Sequence, residues 1–489
     1  MNAFILVMLL ILPFTGGVVL GCMKKASKHT ADCVFTAVLA LEAVLALCYM
    51  FLPDAEIRLF SMTDQLTVKL RTDSVGRIFL AIGAFGFLPA GIYATKYMEH
   101  GERQGSFYGW MLLSLGALVG MDSSENLITM YLFFELATLL SVPLVLHDRT
   151  QESIRAALKY LFYSIAGAFL ALLAIFVLGA HSSSLTFSAG GNLNKALAEE
   201  HRTLIEIVAL LGVIGFGAKA GLYPLHGWLP SAHPVAPAPA SAVLSAIIAK
   251  AGVLAITRLV FYIIGAEFLR GTWVQIVWIS LALLTVFMGS MMAYREDVFK
   301  KRLAYSSVSQ ISYILTGLFC MTAQSIAGGL LHVIFHACIK SCLFLVAGSF
   351  IVNCGKTRVS ELRGIGKAMP ITLWSFTIAA LGLIGIPPAA GFVSKWYLAL
   401  GALDSGLKVI NWLAPVILLV SALLTAAYLL PITIAGFFPG KDFPAMERTK
   451  EGTAIMWLPI AILGALTLIL GIFAGGLTDW VIHIAESLI

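Results

Sequence analysis

The chain of 489 residues is 59% hydrophobic and only 12% charged, and its formal net charge is +6. Soluble globular domains are about 45–50% apolar and about 25% charged, so this composition excludes an ordinary soluble enzyme and indicates a membrane protein. The seven cysteines form no CxxC pair. We therefore expect no Fe–S cluster, haem or structural disulfide, and we also predict no cofactor and no nucleic-acid partner.

Apolar runs of about 20 residues, long enough to cross a bilayer, predict an all-α polytopic membrane protein with about fourteen transmembrane helices. The first run has no basic segment before it, so we interpret it as a retained helix and not as a cleaved signal peptide. The predicted spans are 3–22, 31–52, 75–97, 107–122, 125–147, 153–180, 204–229, 240–265, 272–294, 302–321, 324–352, 371–400, 411–438 and 455–482. The seventh is interrupted at Gly221-Leu-Tyr-Pro224 and the twelfth at Gly385-Ile-Pro-Pro388.

Basic residues are unevenly distributed between alternate loops. The loops after odd-numbered spans, which include Lys24, Lys25, Lys441 and Arg448, carry more than twice as many lysines and arginines as the loops after even-numbered spans. Because basic loops remain on the cytoplasmic side, this pattern predicts a multi-pass protein of the inner (plasma) membrane with both termini on the outer face.

The two interruptions share a sequence pattern. Gly221-Leu-Tyr-Pro-Leu-His-Gly-Trp228 matches Gly385-Ile-Pro-Pro-Ala-Ala-Gly-Phe392 as G-[LI]-x-P-x-x-G-[WF], five spans apart. An odd number of spans inverts one copy relative to the other, and inverted repeats with broken helices are typical of ion-coupled transport proteins. We predict an N-terminal three-helix segment at 1–105, five-helix repeats at 106–268 and 269–438, and a C-terminal helix at 439–489.

Ionisable side chains recur inside the apolar spans, where each costs a few kcal/mol or more. The series is Glu135, Lys159, Lys219, Lys250, His332, His336, Lys340 and Lys395. Three of its members, His332, His336 and Lys340, follow one another at four-residue intervals along one helix face. Because a proton relay needs such a chain of titratable groups through the membrane, we predict that the series carries protons between half-channels at the helix-breaking residues Pro224 and Pro388.

Each member also has a structural alternative. Glu135 and Lys219 could form an ion pair that only joins two helices, and Lys159, near a helix end, could snorkel to the interface. The spacing of His332 and His336 would suit a metal, but no cysteine or carboxylate is placed as a third ligand; the pair could also serve core hydrogen bonding alone. In the relay interpretation, Lys219 is protonated beside Glu135 and releases its proton toward Lys250 when the pair separates.

The segment Pro224-Leu-His-Gly-Trp-Leu-Pro-Ser-Ala-His-Pro-Val-Ala-Pro-Ala-Pro239 resembles a known family. The family comprises the antiporter-like subunits of respiratory complex I, the D-type subunit of Mrp Na+/H+ antiporters and the equivalent subunits of energy-converting hydrogenases. Further support comes from Phe134-Glu-Leu136, Ala304-Tyr-Ser-Ser307, the His332–Lys340 helix and Gly391-Phe-Val-Ser-Lys395. The resemblance covers about residues 105–438.

The resemblance implies a fourteen-helix core with two inverted repeats and assigns roles within it. Glu135 and Lys219 form the ion pair of the first half, Lys250 is the central connection, and Lys395 belongs to the second half-channel. His332 and His336 fall on the family's histidine-bearing helix. Some relatives have glutamate where Lys395 stands, so proton exit there can differ in detail.

The expected function follows from the same resemblance. It is proton translocation, with coupling to Na+ left open, by a subunit of a respiratory complex such as complex I or an energy-converting hydrogenase. Further antiporter-like subunits and a peripheral redox arm are the expected partners. The alternative is a D-type subunit of an Mrp antiporter, and a stand-alone solute carrier fits less well. The sequence contains no quinone, flavin or nucleotide motif, so redox chemistry would belong to partner subunits.

Overall fold

The computed structural model describes residues 2–23, 27–61, 67–99, 101–440 and 450–489. The basic residues Lys24, Lys25, Lys441 and Arg448 lie outside this part of the chain. The α-helices are α1 (Asn2–Cys22), α2 (Lys28–Met50), α3 (Ser74–Tyr97), α4 (Gln104–Asp122), α5 (Leu127–Val145), α6 (Gln151–His181), α7 (Lys195–Glu200), α8 (Arg202–Ala220), α9 (Leu229–Val235), α10 (Ala238–Val243), α11 (Lys250–Thr257), α12 (Ala266–Leu269), α13 (Trp273–Arg295), α14 (Phe299–Cys320), α15 (Ala323–Cys354), α16 (Ile365–Ala368), α17 (Pro370–Ile384), α18 (Ala390–Leu403), α19 (Ile410–Phe437), α20 (Ala454–Ile472) and α21 (Ala474–Glu486).

Three shorter helical segments and one hairpin complete the regular structure of the described residues. Two segments are π-helical, Leu244–Ile248 and Arg258–Ile264, and Val359–Glu361 forms a 3-10 turn. The strands β1 (Ile57–Ser61) and β2 (Thr67–Leu70) pair in antiparallel register. The apolar runs of the sequence predict only membrane spans, so this hairpin was not predicted.

Eleven helices of the described residues are long and apolar enough to cross a membrane. This confirms the prediction of a helical, multi-pass membrane protein. The eleven coincide with predicted spans, and the other three predicted spans fall on α4, α14 and the pair α17–α18. The count of fourteen crossings and the proposed domain boundaries stay predictions.

Both interruptions read from the sequence are breaks in the structure. α8 and α17 each end at a glycine with positive φ, Gly221 at 78° and Gly385 at 93°. Glycine adopts this left-handed conformation without the steric cost that a side chain would bring. The peptide bonds before Pro224 and Pro388 are both cis.

The hydrogen bonds at the two breaks are equivalent. The residue after each glycine donates its N–H to the carbonyl five residues earlier, Leu222 to Gly217 at 2.9 Å and Ile386 to Leu381 at 3.0 Å. This is the pattern of a Schellman-type helix end. The two breaks therefore share one backbone geometry, whereas the inverted repeat as a whole stays a prediction.

The centre of the protein is formed by α15 and by the continuous helical stretch Ala238–Ile264, which contains α10 and α11. The apolar window of Ala238–Ile264 is 100% buried and that of α15 is 89% buried. A helix that is apolar on all sides belongs in an interior position. The middle of the helix bundle therefore contains Lys250, His332, His336 and Lys340.

A buried ion pair joins the start of α3 to the far end of the stretch that carries Lys250. Arg258, which is 2% exposed, donates to both carboxylate oxygens of Asp73, the N-cap residue of α3. The guanidinium also lies over the rings of Phe187 and Tyr262, 4.7 and 4.5 Å from their centroids. Burial alone would raise the pKa of Asp73, but the attraction of Arg258 outweighs it and lowers the pKa to about 2.

Removing the carboxylate of this pair should destabilise the protein. Asp73→Asn leaves a buried guanidinium without its counter-ion, which costs up to about 3–5 kcal/mol, so we expect a clear fall in the melting temperature in detergent. Asp54→Asn is the matched control, because Asp54 forms a more exposed pair with Arg77, and exposed pairs contribute about 0–1 kcal/mol.

The pH dependence gives a second measure of the same pair. A carboxyl whose folded pKa is about 2 against an ordinary 3.8 stabilises the fold above about pH 4 and loses this contribution as the pH falls toward 2. The difference in melting temperature between the wild type and Asp73→Asn should therefore narrow below pH 4. Equal melting temperatures for Asp73→Asn and Asp54→Asn at pH 7 would contradict the assignment.

The helices on either side of the second break pack through glycine. A Cβ atom on Gly391 of α18 would lie 1.9 Å from the carbonyl oxygen of Gly382 in α17. Since this neighbour is backbone, it cannot be moved by a change of rotamer. The contact fixes the position of α18, and thereby that of Lys395, four residues further on.

Gly391→Ala should separate α17 from α18 and lower the stability by about 1–3 kcal/mol, the usual cost of overpacking. The control is Gly476→Ala in α21, where a Cβ would meet nothing within 4 Å and alanine favours the helix. We expect thermal unfolding to show a lower melting temperature for the first variant and no decrease for the second. A Gly391→Ala protein as stable as the control would rule out the close contact.

Candidate ion-translocation site

Lys219 lies at the last turn of α8, immediately before the first break, and is 1% exposed. Its ammonium group donates to the hydroxyl of Thr138 at 2.8 Å and to that of Tyr160 at 2.6 Å. Tyr160 also bonds Ser141 at 2.8 Å and stacks on Trp228, with ring centroids 4.3 Å apart. Hydroxyl groups and aromatic faces therefore surround this buried lysine.

Glu135, the expected partner of Lys219, does not contact it directly. No salt bridge within 4.0 Å joins these two described residues, although they are close enough to interact electrostatically. Glu135 Oε1 is buried and has no hydrogen-bond partner among the described residues. Thr138, one turn further along α5, occupies the contact with Lys219 instead. The ion pair that the resemblance implies is therefore separated in this structure.

Lys159 lies on the exposed side of α6, away from Lys219. Its ammonium group donates to Ser231 at 2.9 Å. The next residue, Tyr160, is turned inward and is the one that contacts Lys219, because consecutive helical residues differ by about 100° in direction. The structure thus brings the neighbour of Lys159 to the first lysine and leaves Lys159 itself at the surface.

Lys250 is fully buried and stands where the π-helical segment Leu244–Ile248 gives way to α11. Its ammonium group donates to the carbonyl oxygen of Ala246. π-Helical turns inside α-helices are frequent at functional sites, because they change the direction of backbone carbonyls and side chains. Lys250 is close enough to His336 and Lys340 to act electrostatically on both.

Lys340 continues the buried series on α15. It is fully buried and donates to Ser306 at 2.8 Å and to the carbonyl of Leu303 at 3.0 Å, both on α14. Ser306 in turn accepts a hydrogen bond of 2.7 Å from Tyr428 of α19. A chain of hydroxyl groups therefore extends from Lys340 toward α19.

His332 and His336 have different surroundings although both are fully buried. The ring nitrogens of His332 bond Ser394 at 2.9 Å and Gln310 at 3.1 Å, which leaves neither nitrogen for a metal. His336 has no hydrogen-bond partner at either nitrogen among the described residues. The two ring centroids are 5.7 Å apart. The part of the chain that the structure describes contains no group of three or more side chains placed to hold a metal ion.

Lys395 lies on α18 after the second break and is half-buried. It donates to the carbonyls of Leu383 and Ile384 at 2.6 and 2.9 Å, the last residues of α17. These carbonyls have no partner within their own helix, and the C-terminal end of a helix favours a cation. The ammonium group also lies 4.9 Å from the ring centroid of Tyr313.

The structure therefore gathers the predicted residues into three neighbouring groups. Glu135 and Lys219 lie in the first, Lys250, His336 and Lys340 in the second, and Lys395 in the third. His332 links the second and third groups, since its ring is next to His336 and its partner Ser394 precedes Lys395 in the chain. Lys159 belongs to none of them.

Several functional candidates were missed from the sequence. They are the hydroxyl and amide partners Thr138, Tyr160, Ser306, Gln310, Tyr313, Ser394 and Tyr428. Polar uncharged residues in apolar spans were the available signal, but they are too common to single out a site.

Two further buried ionisable groups were not among the predicted translocation residues. His233 is fully buried with both ring nitrogens unpartnered among the described residues. Lys300, in the first turn of α14, donates to the carbonyl of Ala236, the residue after α9. It lines a cavity of about 450 Å³ together with Glu102 and Asp148. Lys300 and Lys340 are both close enough to His233 to interact with it electrostatically.

Comparison with known proteins places this arrangement in context. The family described as NADH:quinone oxidoreductase/Mrp antiporter, TM, matches residues 124–425, a range that contains every predicted translocation residue. The chain is 34% identical over 420 residues to NADH-quinone oxidoreductase subunit N of Desulforudis audaxviator, covering 83% of this chain and 82% of that protein.

Two other relatives come from different kinds of complex. The chain is 30% identical over 430 residues to the D-type subunit of a Na+/H+ antiporter of Bacillus subtilis, covering 86% of this chain and 84% of that protein. It is 29% identical over 442 residues to hydrogenase-4 component B of Escherichia coli, covering 86% and 64%. These matches confirm the resemblance that the motifs indicated.

Solved structures share the fold. A chain of the Mrp complex from Dietzia sp. DQ12-45-1b superposes with a TM-score of 0.87 at 21% identity, over 99% of this chain and 97% of that one. A chain of respiratory complex I from Thermus thermophilus gives 0.82 at 24% identity, over 99% of both chains.

The contact between Tyr160 and Lys219 makes a specific prediction. Tyr160→Phe keeps the ring that stacks on Trp228 but removes an acceptor of the buried ammonium group, a loss of about 1–3 kcal/mol. We expect ion translocation in reconstituted vesicles to slow roughly tenfold, since about 1.4 kcal/mol is a factor of ten. Tyr163→Phe on the same helix does not touch Lys219 and should leave the rate unchanged. Equal rates for both variants would remove Tyr160 from the site.

Proposed function

Because the chain belongs to the NADH:quinone oxidoreductase/Mrp antiporter family of membrane proteins, we propose that it carries protons across the bilayer as an antiporter-like subunit of a larger complex. The carriers are the ionisable residues of the three groups described above, in the order Glu135, Lys219, Lys250, Lys340, His336, His332 and Lys395. The helix breaks at Pro224 and Pro388 lie where the two half-channels open.

One observation carries this proposal. Within the described residues, no carboxylate forms a salt bridge with Lys219, Lys250, Lys340 or Lys395, and each donates only to neutral hydroxyl or carbonyl oxygens. A lysine retained only for structure would be stabilised by a counter-ion, because breaking or omitting the pair leaves a costly buried charge. Without a carboxylate to hold it, a proton can leave each lysine when the charge on the neighbouring group changes.

The first step involves Glu135 and Lys219. Approach of Glu135 to Lys219 favours the protonated lysine, and separation favours transfer of the proton toward Lys250. The separated geometry described here, with Thr138 and Tyr160 in contact with Lys219, corresponds to the second condition. The hydroxyl of Tyr160 both donates and accepts, so it can pass a proton while the ring remains stacked on Trp228.

The later steps follow α15 to the second break. Lys250 interacts electrostatically with His336 and Lys340, and the ring of His336 lies next to that of His332. Imidazole has a donor and an acceptor nitrogen, so a histidine can accept a proton at one nitrogen and release one from the other, which suits transfer between two lysines. From His332 the path continues through Ser394 to Lys395 at the end of α17.

Lys159 has a different role in this proposal. It lies on an outer, apolar surface of α6 together with exposed Leu158 and Phe162. A charged group in that position is stable when a neighbouring polar surface covers it. We infer that an adjacent membrane subunit contacts the chain here and that Lys159 exchanges protons with it.

The complex is proposed from the relatives. By name they belong to an NADH-quinone oxidoreductase, a Na+/H+ antiporter and a hydrogenase. We infer that other membrane subunits, including antiporter-like ones, adjoin the chain, and that a peripheral redox arm drives it. The complex lies in the plasma membrane with both termini of this chain on the outer face.

A D-type subunit of an Mrp antiporter is the second candidate. The 30% identity with the Bacillus subtilis antiporter protein and the match to the Mrp complex support it. In that case a Na+ gradient replaces redox chemistry as the driving force, while the proton path within this chain remains the same.

Lys219→Ala should lower the rate of translocation by at least about tenfold, because an alanine cannot carry the proton past the first break. The measurement is proton movement into membrane vesicles that contain the whole complex, energised either by a redox substrate or by an imposed Na+ gradient. Lys408→Ala, at an exposed position before α19, is the control and should behave as wild type.

The two energy sources separate the candidates. Proton movement that follows only the redox substrate supports the respiratory subunit, and movement that follows the Na+ gradient supports the antiporter subunit. Unchanged proton movement in an assembled Lys219→Ala complex would contradict the proposed proton relay, whether the complex is driven by redox chemistry or by a Na+ gradient.

A further inference from the structure

A buried serine joins Lys340 of α15 to a tyrosine of another helix. The ammonium group of Lys340 donates to the hydroxyl oxygen of Ser306 at 2.8 Å and to the carbonyl oxygen of Leu303 at 3.0 Å. The phenol of Tyr428 in α19 donates to the same hydroxyl oxygen at 2.7 Å. Lys340, Ser306 and Tyr428 are all buried. The surroundings of this lysine therefore depend on a hydroxyl group that has two partners.

The hydroxyl group of Ser306 has a donor that is not in use. Its oxygen accepts two hydrogen bonds, which occupy both lone pairs, and its own hydrogen donates to no group among the described residues. When the ammonium group of Lys340 loses a proton, the neutral amine has a lone pair that can accept this hydrogen. Ser306 can therefore serve both charge states of Lys340 by rotation of one hydrogen atom, without movement of any heavy atom.

The hydrogen bond from Tyr428 favours the neutral lysine. An oxygen that accepts from two donors binds each of them less strongly, so Tyr428 weakens the bond between Ser306 and the ammonium group. In the neutral state, Ser306 accepts from Tyr428 and donates to Lys340. Hydrogen bonds that run in one direction along a chain strengthen one another. The phenol therefore makes loss of a proton from Lys340 easier.

We propose that Tyr428 is a positioning residue that acts through Ser306 to promote proton release from Lys340. This inference rests on the proposed function, in which Lys340 passes its proton to His336. The transfer breaks one N–H bond of Lys340 and forms one N–H bond on His336, and neither hydroxyl group gains or loses a proton. Tyr428 and Ser306 stabilise the lysine that remains and do not carry the proton themselves.

The end of the hydroxyl chain agrees with a positioning role. The phenol of Tyr428 lies 3.4 Å from the hydroxyl oxygen of Thr425, one turn away in α19. Thr425 in turn donates to the backbone carbonyl of Ser421 at 2.8 Å. A carbonyl oxygen only accepts hydrogen bonds and has no hydrogen to pass on. The chain can therefore adjust to the charge of Lys340 but does not lead a proton onward.

A purely structural role, in which the phenol only fastens α19 to α14, is already served by other contacts. Arg302 of α14 donates to the backbone carbonyl of Tyr428 at 2.8 Å. The hydroxyl groups of Ser309 and Ser421 join the same two helices at 3.2 Å. These contacts hold Tyr428 in place without its hydroxyl group. Tyr428→Phe should therefore remove one hydrogen bond and leave the packing of the ring unchanged.

Three other ionisable groups face Lys340. Lys250 of α11, His336 of α15 and His233 of α9 are each close enough to interact with it electrostatically. Among the described residues, none of the three forms a hydrogen bond with Tyr428 or Ser306. A substitution of the phenol therefore leaves these groups in place, and a change in the pH dependence of the rate reports on Lys340.

The test uses the whole complex in membrane vesicles and compares two buried tyrosine–serine pairs. Tyr428→Phe should slow proton movement about fivefold, the factor that corresponds to about 1 kcal/mol for one hydrogen bond. Because Lys340 then keeps its proton more firmly, the rising limb of the pH profile should move to higher pH by roughly half a unit to one unit. Tyr93→Phe is the matched control, since Tyr93 bonds the buried Ser349 at 3.2 Å, and it should retain the wild-type rate and profile.

A double variant shows whether Tyr428 acts through Ser306. Ser306→Ala should itself slow proton movement, whereas Ser349→Ala, its control, should not. In the Ser306→Ala background, Tyr428→Phe should lower the rate by less than about twofold, because residues that share one interaction are not additive. Fully additive effects of the two substitutions would overturn the proposal.

Two further results would also overturn it. They are a Tyr428→Phe rate equal to that of Tyr93→Phe, and a slower rate with an unshifted pH profile, which would make the tyrosine structural. If Tyr428→Phe does not assemble, a rate in Ser306→Ala equal to that of Ser349→Ala overturns the proposal, and a slower rate that Ser306→Thr restores supports it. A wild-type complex that moves no protons would refute the proposed function itself, and this inference with it.

Discussion

The arrangement depends on one constraint: several lysines must remain inside an apolar bundle without a carboxylate in contact. Backbone carbonyl groups supply many of the hydrogen-bond acceptors that these ammonium groups require. Lys395 binds the last carbonyls of α17, Lys250 binds a carbonyl of a π-helical segment, and Lys300 binds Ala236 just after α9. Regular α-helix would have used these oxygens in its own hydrogen bonds. The broken and π-helical segments are therefore the source of acceptors for buried ammonium groups, and the prolines and glycines that cause them matter for this reason.

The two breaks are alike in backbone but different in chemistry. Both end in a glycine with positive φ and an equivalent hydrogen bond. Lys219, however, precedes its glycine and bonds side-chain hydroxyls from two other helices, whereas Lys395 follows its glycine by ten residues and bonds the carbonyls of the break itself. Small movements of α5 or α6 can change the surroundings of Lys219, but those of Lys395 change only if the break moves. The surroundings of Lys219 can therefore change through side-chain movements, whereas those of Lys395 can change only through a movement of the backbone.

The features of the fold that depend on a local sequence pattern could be predicted from the sequence. Hydropathy predicted the helical, multi-pass architecture, and glycine and proline predicted the two breaks. Charged residues in apolar runs predicted a series of buried ionisable groups, whose role stays a prediction. Features that depend on the rotation of a helix about its axis, or on contacts between residues far apart in the sequence, could not be predicted. Lys159 was chosen although its neighbour Tyr160 faces Lys219, since a one-residue step turns a side chain by about 100°. The separation of Glu135 from Lys219 and the pairing of Arg258 with Asp73, 185 residues away, depend on how helices pack, and no spacing in the chain records that.

His336 occupies a special position within this framework. The other buried members of the central region already hold hydrogen bonds: His332 to Ser394 and Gln310, Lys340 to Ser306, Lys250 to Ala246. His336 holds none at either nitrogen among the described residues, although Lys250, Lys340 and Lys395 all interact with it electrostatically. A neutral imidazole offers one donor and one acceptor, so it can accept from either Lys250 or Lys340 without giving up a hydrogen bond to a third residue. The unsatisfied histidine, costly as a structural element, is the group best able to change partners at the centre of the bundle.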